Sequence, residues 1–210
     1  MLKGCVRLKN KKGIIIILFV LVIVILFFLL SNSGIIGIAI DGIAYVANNT
    51  RDYTDKNGYI ITDECNFEVD LSNLQSNVGK QVYNDGKHKI YVSWIDNTGS
   101  IRSGGYRIGF RAKGEYSVHG ATLISGVKHI AVTDNSFTYD MSAKMRATYK
   151  EKTYDCSVFG TSGLNYRDGD DFSFYIFPSV AYEKNEISLD EKGKVSITIT
   201  NLYKNIWNKK

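Results

Sequence analysis

The chain has 210 residues and a formal net charge of +5, from 26 basic and 21 acidic residues. The whole excess lies before residue 13, in Lys3, Arg7, Lys9, Lys11 and Lys12. The rest of the chain is balanced, so it lacks the overall basic charge that binding to nucleic acid requires. A hydrophobic content of 44% and one proline exclude a disordered chain or a proline-rich stalk. The length suits one ordinary domain and an anchor.

Residues 14–30 form an uninterrupted apolar run, which spans about 26 Å as a helix and is close to the thickness of a bilayer core. We therefore predict a transmembrane signal-anchor that contacts the lipid bilayer. The basic residues before it predict a cytoplasmic tail over residues 1–13, with the C-terminal domain outside the plasma membrane. An alternative is a cleaved signal peptide and a secreted protein, because Ser31, Ser33, Gly37 and Ala39 loosely satisfy the small-residue rule for cleavage.

Lys12-Gly13, directly before the apolar run, resembles the processing site of type IV pilin-like proteins. The resemblance implies cleavage after Gly13 and a long continuous helix. Those proteins typically have a glutamate at the fifth position after the cut, where this chain has Leu18. A pilin-like subunit is kept as an alternative.

Beyond residue 58 the apolar residues alternate, which indicates half-buried strands. Cys65–Leu71, His88–Trp94 and Tyr106–Ala112 show the pattern, and further strands are predicted over 121–124, 127–133, 137–149, 153–159, 172–180 and 195–203. No amphipathic helix separates them, so the sheets should be mainly antiparallel. We predict an all-β fold, a β-sandwich with a β-barrel as the alternative. The domain covers residues 59–205, between a juxtamembrane stem over 31–58 and a C-terminal tail over 206–210.

Cys65 and Cys156 are the two cysteines beyond the apolar run, and each lies on the apolar side of a predicted strand. In an exported sandwich such a pair is expected to form a disulfide across the sheets.

The layout of an N-terminal anchor, a β domain and the order His88, Cys156, Arg167 resembles membrane-anchored cysteine transpeptidases of the sortase type. The resemblance implies Cys156 as nucleophile, His88 as acid or base and Arg167 as the group that stabilises the oxyanion. The residues before Cys156 lack the threonine and leucine placements of that family's signature.

Asp168, Asp170 and Asp171 form an acidic cluster that offers oxygen ligands for calcium, although a solvated turn explains it equally well. His119 and His129 have no metal-ligand spacing, so neither a metal nor a cofactor is predicted. The 14 tyrosines suit strand packing, and an exposed aromatic row would suit a protein or glycan partner. The sequence thus favours a non-catalytic surface or envelope module, anchored in the membrane, over an enzyme.

Overall fold

The computed structural model describes the backbone of residues 5–133 and 136–210, and the side chains of 13–133 and 138–210. Lys3 lies outside the described residues, and so do the side chains of Arg7, Lys9, Lys11 and Lys12.

Three helices open the described chain. Helix α1, Cys5–Asn32, contains a 20-residue apolar stretch, Gly13–Asn32, none of which is buried. It ends before Gly34, whose φ of 77° is unfavourable for residues with a Cβ. Helix α2, Ile35–Asp41, and helix α3, Ile43–Asn48, follow, separated by Gly42 at φ 59°. The helix that contains the apolar run therefore ends at Asn32 and does not continue into the folded domain.

Sixteen strands and one further helix follow within the described residues. The strands are β1 Tyr53–Thr54, β2 Tyr59–Ile60, β3 Cys65–Asp70, β4 Gln81–Asn84, β5 Lys89–Asn97, β6 Tyr106–Lys113, β7 Glu115–Ser117, β8 Gly120–Ser125, β9 Val127–Thr133, β10 Ser136–Met141, β11 Lys144–Tyr149, β12 Lys152–Asp155, β13 Val158–Thr161, β14 Asp171–Tyr175, β15 Lys194–Thr200 and β16 Tyr203–Lys209. Helix α4 is Ser179–Glu183. The chain is thus mostly strands, as the alternating pattern predicts.

The strands form three sheets and a hairpin, and every pairing between the described strands is antiparallel. Sheet I has the order β12-β11-β15-β3 and sheet II the order β13-β14-β6-β5-β4. Sheet III has the order β1-β16-β8-β7, with β2 also on β16, and β9 pairs with β10. Sheets I and II share a core, where Phe67 of sheet I meets Phe110 of sheet II edge to face at 6.0 Å.

Helix α3 packs against sheet III and β9, and its apolar residues belong to the buried core of the domain. Ile43 and Val46 are fully buried, and the Ile43 amide donates to the carbonyl of Arg167 at 2.9 Å. We call residues 34–48 the collar. The segment predicted as a stem over 31–58 is thus largely folded onto the domain. Its apolar side chains pack against strands of sheet III and β9, which the sequence pattern does not reveal.

Several details differ from the predicted strands. The segments 137–149 and 153–159 each contain two strands, β10 with β11 and β12 with β13, which belong to different sheets. Strand β14 ends at Tyr175 and Pro178 precedes α4, so the strand predicted over 172–180 stops early. The predicted tail over 206–210 is mostly strand β16, with Trp207 in the core. A bulge between Val92 and Trp94 turns Trp94 away from the face of Ile90 and Val92, with which the alternation had grouped it.

Candidate functional site

Cys65 and Cys156 are free thiols in the structure, which corrects the predicted disulfide. Both lie in sheet I rather than across two sheets. The pairings run in one row from Cys65 to Ile199, from Ile199 to Met145, and from the Met145 carbonyl to the Cys156 amide. Three strand spacings separate the cysteines by about 14 Å, twice the Cα distance that a disulfide spans.

The Cys156 thiol is a poor nucleophile. Burial, followed by the charge of Asp155, raises its pKa to about 12, and Sγ lies 3.2 Å from the Ile176 carbonyl oxygen. A catalytic cysteine needs the opposite, an environment that stabilises the thiolate.

His88 is buried and both of its ring nitrogens have partners. Nδ1 lies 2.7 Å from an Asp85 carboxylate oxygen, and Nε2 lies 2.8 Å from the Thr122 hydroxyl. Burial alone would raise the pKa of Asp85, but hydrogen bonds from the His88 amide and ring hold it well below its usual range. This arrangement ties the β4–β5 turn to sheet III and leaves the imidazole no free nitrogen.

The structure does not bring Cys156, His88 and Arg167 together. Cys156 lies two residues before Val158, and the row of paired residues that starts at Val158 crosses sheet II to Ile95 of β5. His88 directly precedes Lys89, which begins a second row at the other end of β5. Six residues of strand separate the two rows, about 20 Å. Arg167 is exposed on the loop before β14, where its carbonyl binds the collar. The nucleophile and base of the sortase resemblance therefore have no contact.

The acidic cluster is also dispersed among protein partners. Asp168 forms ion pairs with Arg111 and, at 3.3 Å, with Lys113. Asp171 accepts a hydrogen bond from the Tyr166 hydroxyl at 3.2 Å. Asp170 is fully buried. Among the side chains the structure describes, no group of three His, Cys, Asp or Glu residues is placed to hold a metal ion.

Asp170 belongs to a buried polar cluster that the sequence pattern does not indicate. Its carboxylate accepts the Ser125 hydroxyl at 2.8 Å and lies 2.6 Å from Nε2 of His129. These three residue types resemble a hydrolase triad, but the order is wrong, because the carboxylate lies between the serine and the histidine. In a catalytic triad the histidine contacts the hydroxyl. The cluster instead joins β8, β9 and the start of β14, and Asp170 is more than 40 residues along the chain from both Ser125 and His129.

The outer face of sheet II has a group of aromatic side chains, of which Phe159 is exposed and the others are half-buried. We call it the aromatic face: Trp94, Phe159 and Tyr175, with Arg107. Phe159 is 40% exposed and meets Trp94 and Tyr175 edge to face at 5.9 and 5.2 Å. The guanidinium of Arg107 lies 4.6 Å from the Phe159 ring centre and forms a two-point ion pair with Asp96.

Two glycines give this face its shape. A Cβ at Gly109 would lie 2.1 Å from Nε1 of Trp94, and one at Gly104 would lie 2.0 Å from Cε1 of Tyr175. Both rings therefore lie directly on the backbone. The sequence showed the aromatic residues but not that three of them share one exposed face, because two of the three sites adjoin bulges.

Comparison of the chain with protein-family models, with curated proteins and with solved structures found no match.

Proposed function

We propose that this protein is a single-pass membrane protein whose β domain acts outside the plasma membrane as a non-catalytic interaction or structural module. Helix α1 holds residues 14–30 in the bilayer, residues 1–13 stay in the cytoplasm, and the domain is a β-sandwich built on sheets I and II.

The observation that carries this proposal is the contrast between helices α1 and α3. The apolar side chains of residues 14–30 in α1 are all exposed, so this part of the helix is unfavourable in water and favourable in hydrocarbon. The apolar side chains of α3, a few residues later, are buried in the domain. A retained anchor accounts for both, because the collar then joins the membrane span to the folded domain.

The sandwich is supported by the edge-to-face contact of Phe67 on sheet I with Phe110 on sheet II, since a sandwich buries side chains between the inner faces of two sheets. A role without catalysis is supported by the distance between Cys156 and His88 and by the raised pKa of the Cys156 thiol. Surface modules act through exposed side chains, and the aromatic face supplies these.

Reporter fusions test the orientation. Alkaline phosphatase joined to the C-terminus should be active and green fluorescent protein at the same place should be dark, since the first folds outside and the second inside. Changing Lys9, Lys11 and Lys12 to Gln should lower phosphatase activity several-fold, because it removes the cytoplasmic charge signal. The same change at Lys56, Lys87 and Lys204 is the matched control and should have no effect. A fluorescent C-terminal fusion would contradict the proposal.

The intact mass of protein from its native membrane tests the anchor. A mass that includes residues 1–30 supports retention. A mass that corresponds to a chain starting beyond the apolar run indicates a secreted protein. A mass that corresponds to a chain starting at Ile14 indicates pilin-like processing.

A further inference from the structure

We propose that the aromatic face is a saccharide-binding site, with Trp94 and Phe159 as stacking surfaces for a sugar ring. The inference rests on the proposed function, because it requires the domain to meet glycans outside the cell.

The first support is a shallow trough in the sheet. One row of paired residues crosses sheet II from Trp94 through Gly109 and Ser173 to Gly160. Three of these four residues are small, so the row is about 14 Å wide and lacks bulky side chains of its own. Trp94 and Phe159 lie over it. Such flat, partly exposed rings offer a sugar the apolar contact that its C–H face requires.

The second support is the polar lining beside the rings. A cavity of 240 Å³ lies next to them. It is lined by Trp94, Phe159, Thr161, Ser162, Asp171 and Ser173. The Asp171 carboxylate uses one oxygen for Tyr166, and its second oxygen has no partner among the described residues. Sugar hydroxyls donate well to such a carboxylate and exchange hydrogen bonds with serine and threonine.

The third support is rigidity. The guanidinium of Arg107 is held by Asp96 and stacks on Phe159, while Gly109 seats the indole of Trp94. A preformed site loses little side-chain entropy on binding, which matters for a small ligand with few contacts.

The size of the cavity favours a sugar over a protein partner. Pockets for drug-sized ligands measure about 300–1,000 Å³, so this cavity suits one ring-sized unit. A stable protein interface covers about 800 Å² of each partner and has a charge-depleted centre. Here Arg107, Asp96 and Asp171 lie among the rings, as suits a polar ligand.

Titration of the purified full-length protein in detergent tests the proposal. The probes are trisaccharides of glucose, galactose, mannose and N-acetylglucosamine, each to about 10 mM, ten times a millimolar Kd. The chain has two tryptophans, and Trp207 is in the core. A change in tryptophan emission on binding therefore reports on Trp94, and calorimetry measures affinity independently of it.

Three variants sharpen the test. Trp94→Ala should weaken binding at least tenfold. Gly109→Ala should weaken it about fivefold while the indole is kept, because the added Cβ pushes the ring off the sheet. Tyr59→Ala, which removes an aromatic ring that is 52% exposed on sheet III, should leave binding unchanged. Circular dichroism of each variant confirms the fold.

The proposal is overturned if no trisaccharide binds at about 10 mM, or if binding survives Trp94→Ala. It is also overturned if crosslinking in cells shows a Trp94-dependent protein partner and calorimetry shows no sugar binding. Failure of the proposed function is separate, because the reporter fusions measure orientation in cells and the titration uses purified protein.

Discussion

Cys156 lies where its thiol stays protonated at neutral pH, since burial and Asp155 raise its pKa to about 12. Burial also raises the pKa of Cys65. We expect both to react with iodoacetamide at pH 8 at least tenfold more slowly in the folded protein than in denaturant, because the thiolate is the reactive form. Mass spectrometry after timed quenching measures this. Without reductant, denatured protein should show both thiols alkylated, and a bridged pair would contradict the structure.

Glu191 predicts a dependence of stability on pH. Burial alone would raise the pKa of its carboxyl, but hydrogen bonds from Lys150, the Ser188 amide and Tyr149 outweigh this and lower it to about 2. A lowered pKa stabilises the folded state above the unfolded value, near 4.5, and this contribution is lost as the pH falls toward 2.

The variant Glu191→Gln measures that contribution. At pH 7 we expect it to lower the free energy of unfolding by about 1–3 kcal/mol, and the gap to wild type should close between about pH 4.5 and 2. Urea denaturation at several pH values provides the data. A gap for Glu191→Gln that widens toward acid would refute the interpretation.

Single residues also mark where sequence reasoning stops. The acidic run 168–171 was visible, but the burial of Asp170 depends on Ser125 and His129, more than 40 residues away. Alternation within one strand carries no information about such partners. The predicted disulfide between Cys65 and Cys156 failed for the same reason. Cys65 lies on a strand as predicted, but Cys156 lies between β12 and β13, and alternation does not show which sheet each strand joins.

Among the elements, strands with strict alternation were predictable and those with an interruption were not. Tyr106–Ala112 matches β6 and Cys65–Leu71 matches β3 closely, because period two depends only on neighbours. The bulge that reverses Trp94 has no glycine or proline signal. Helices α2 and α3 lie in the segment predicted as a stem, because the sequence pattern does not show that the apolar residues of α3 pack against β8 and β9.

The junction between α2 and α3 depends on Gly42. It has a φ of 59°, and a Cβ there would lie 2.0 Å from the Arg167 carbonyl oxygen, which accepts the Ile43 amide. Gly42→Ala should therefore lower the free energy of unfolding by about 2 kcal/mol or more, of which about 1–2 is the cost of the left-handed backbone.

Gly79→Ala is the matched control for that prediction. Gly79 has a φ of 86° and open space around it, so this variant carries the backbone cost without the clash. Thermal unfolding should rank wild type above Gly79→Ala and Gly79→Ala above Gly42→Ala. Equal losses for the two variants would show that the contact with Arg167 does not hold the collar in place.

At the scale of the whole molecule, the collar behaves as part of the domain. Removing residues 1–32 should leave a folded, water-soluble protein, because the side chains of residues 13–32 are exposed and add nothing to the core. Removing residues 1–48 also deletes Ile43 and Val46 and should cost about 3–6 kcal/mol, at about 1.5–3 for each buried side chain. Urea denaturation of the two truncated proteins compares them directly. Equal stability would show that the collar contributes nothing to the core.

The docked collar also has a mechanical consequence. A flexible linker acts as an entropic spring, which absorbs a pull by straightening before it transmits force. Between the end of α1 at Asn32 and the buried Ile38 there are only five residues, and most of them are already helical. With α1 in the bilayer, a pulling force on the domain would reach the membrane with almost no prior extension of the connecting segment. A ligand would have to come close to the bilayer surface, because the short segment between α1 and Ile38 is no flexible linker that could extend the domain's reach.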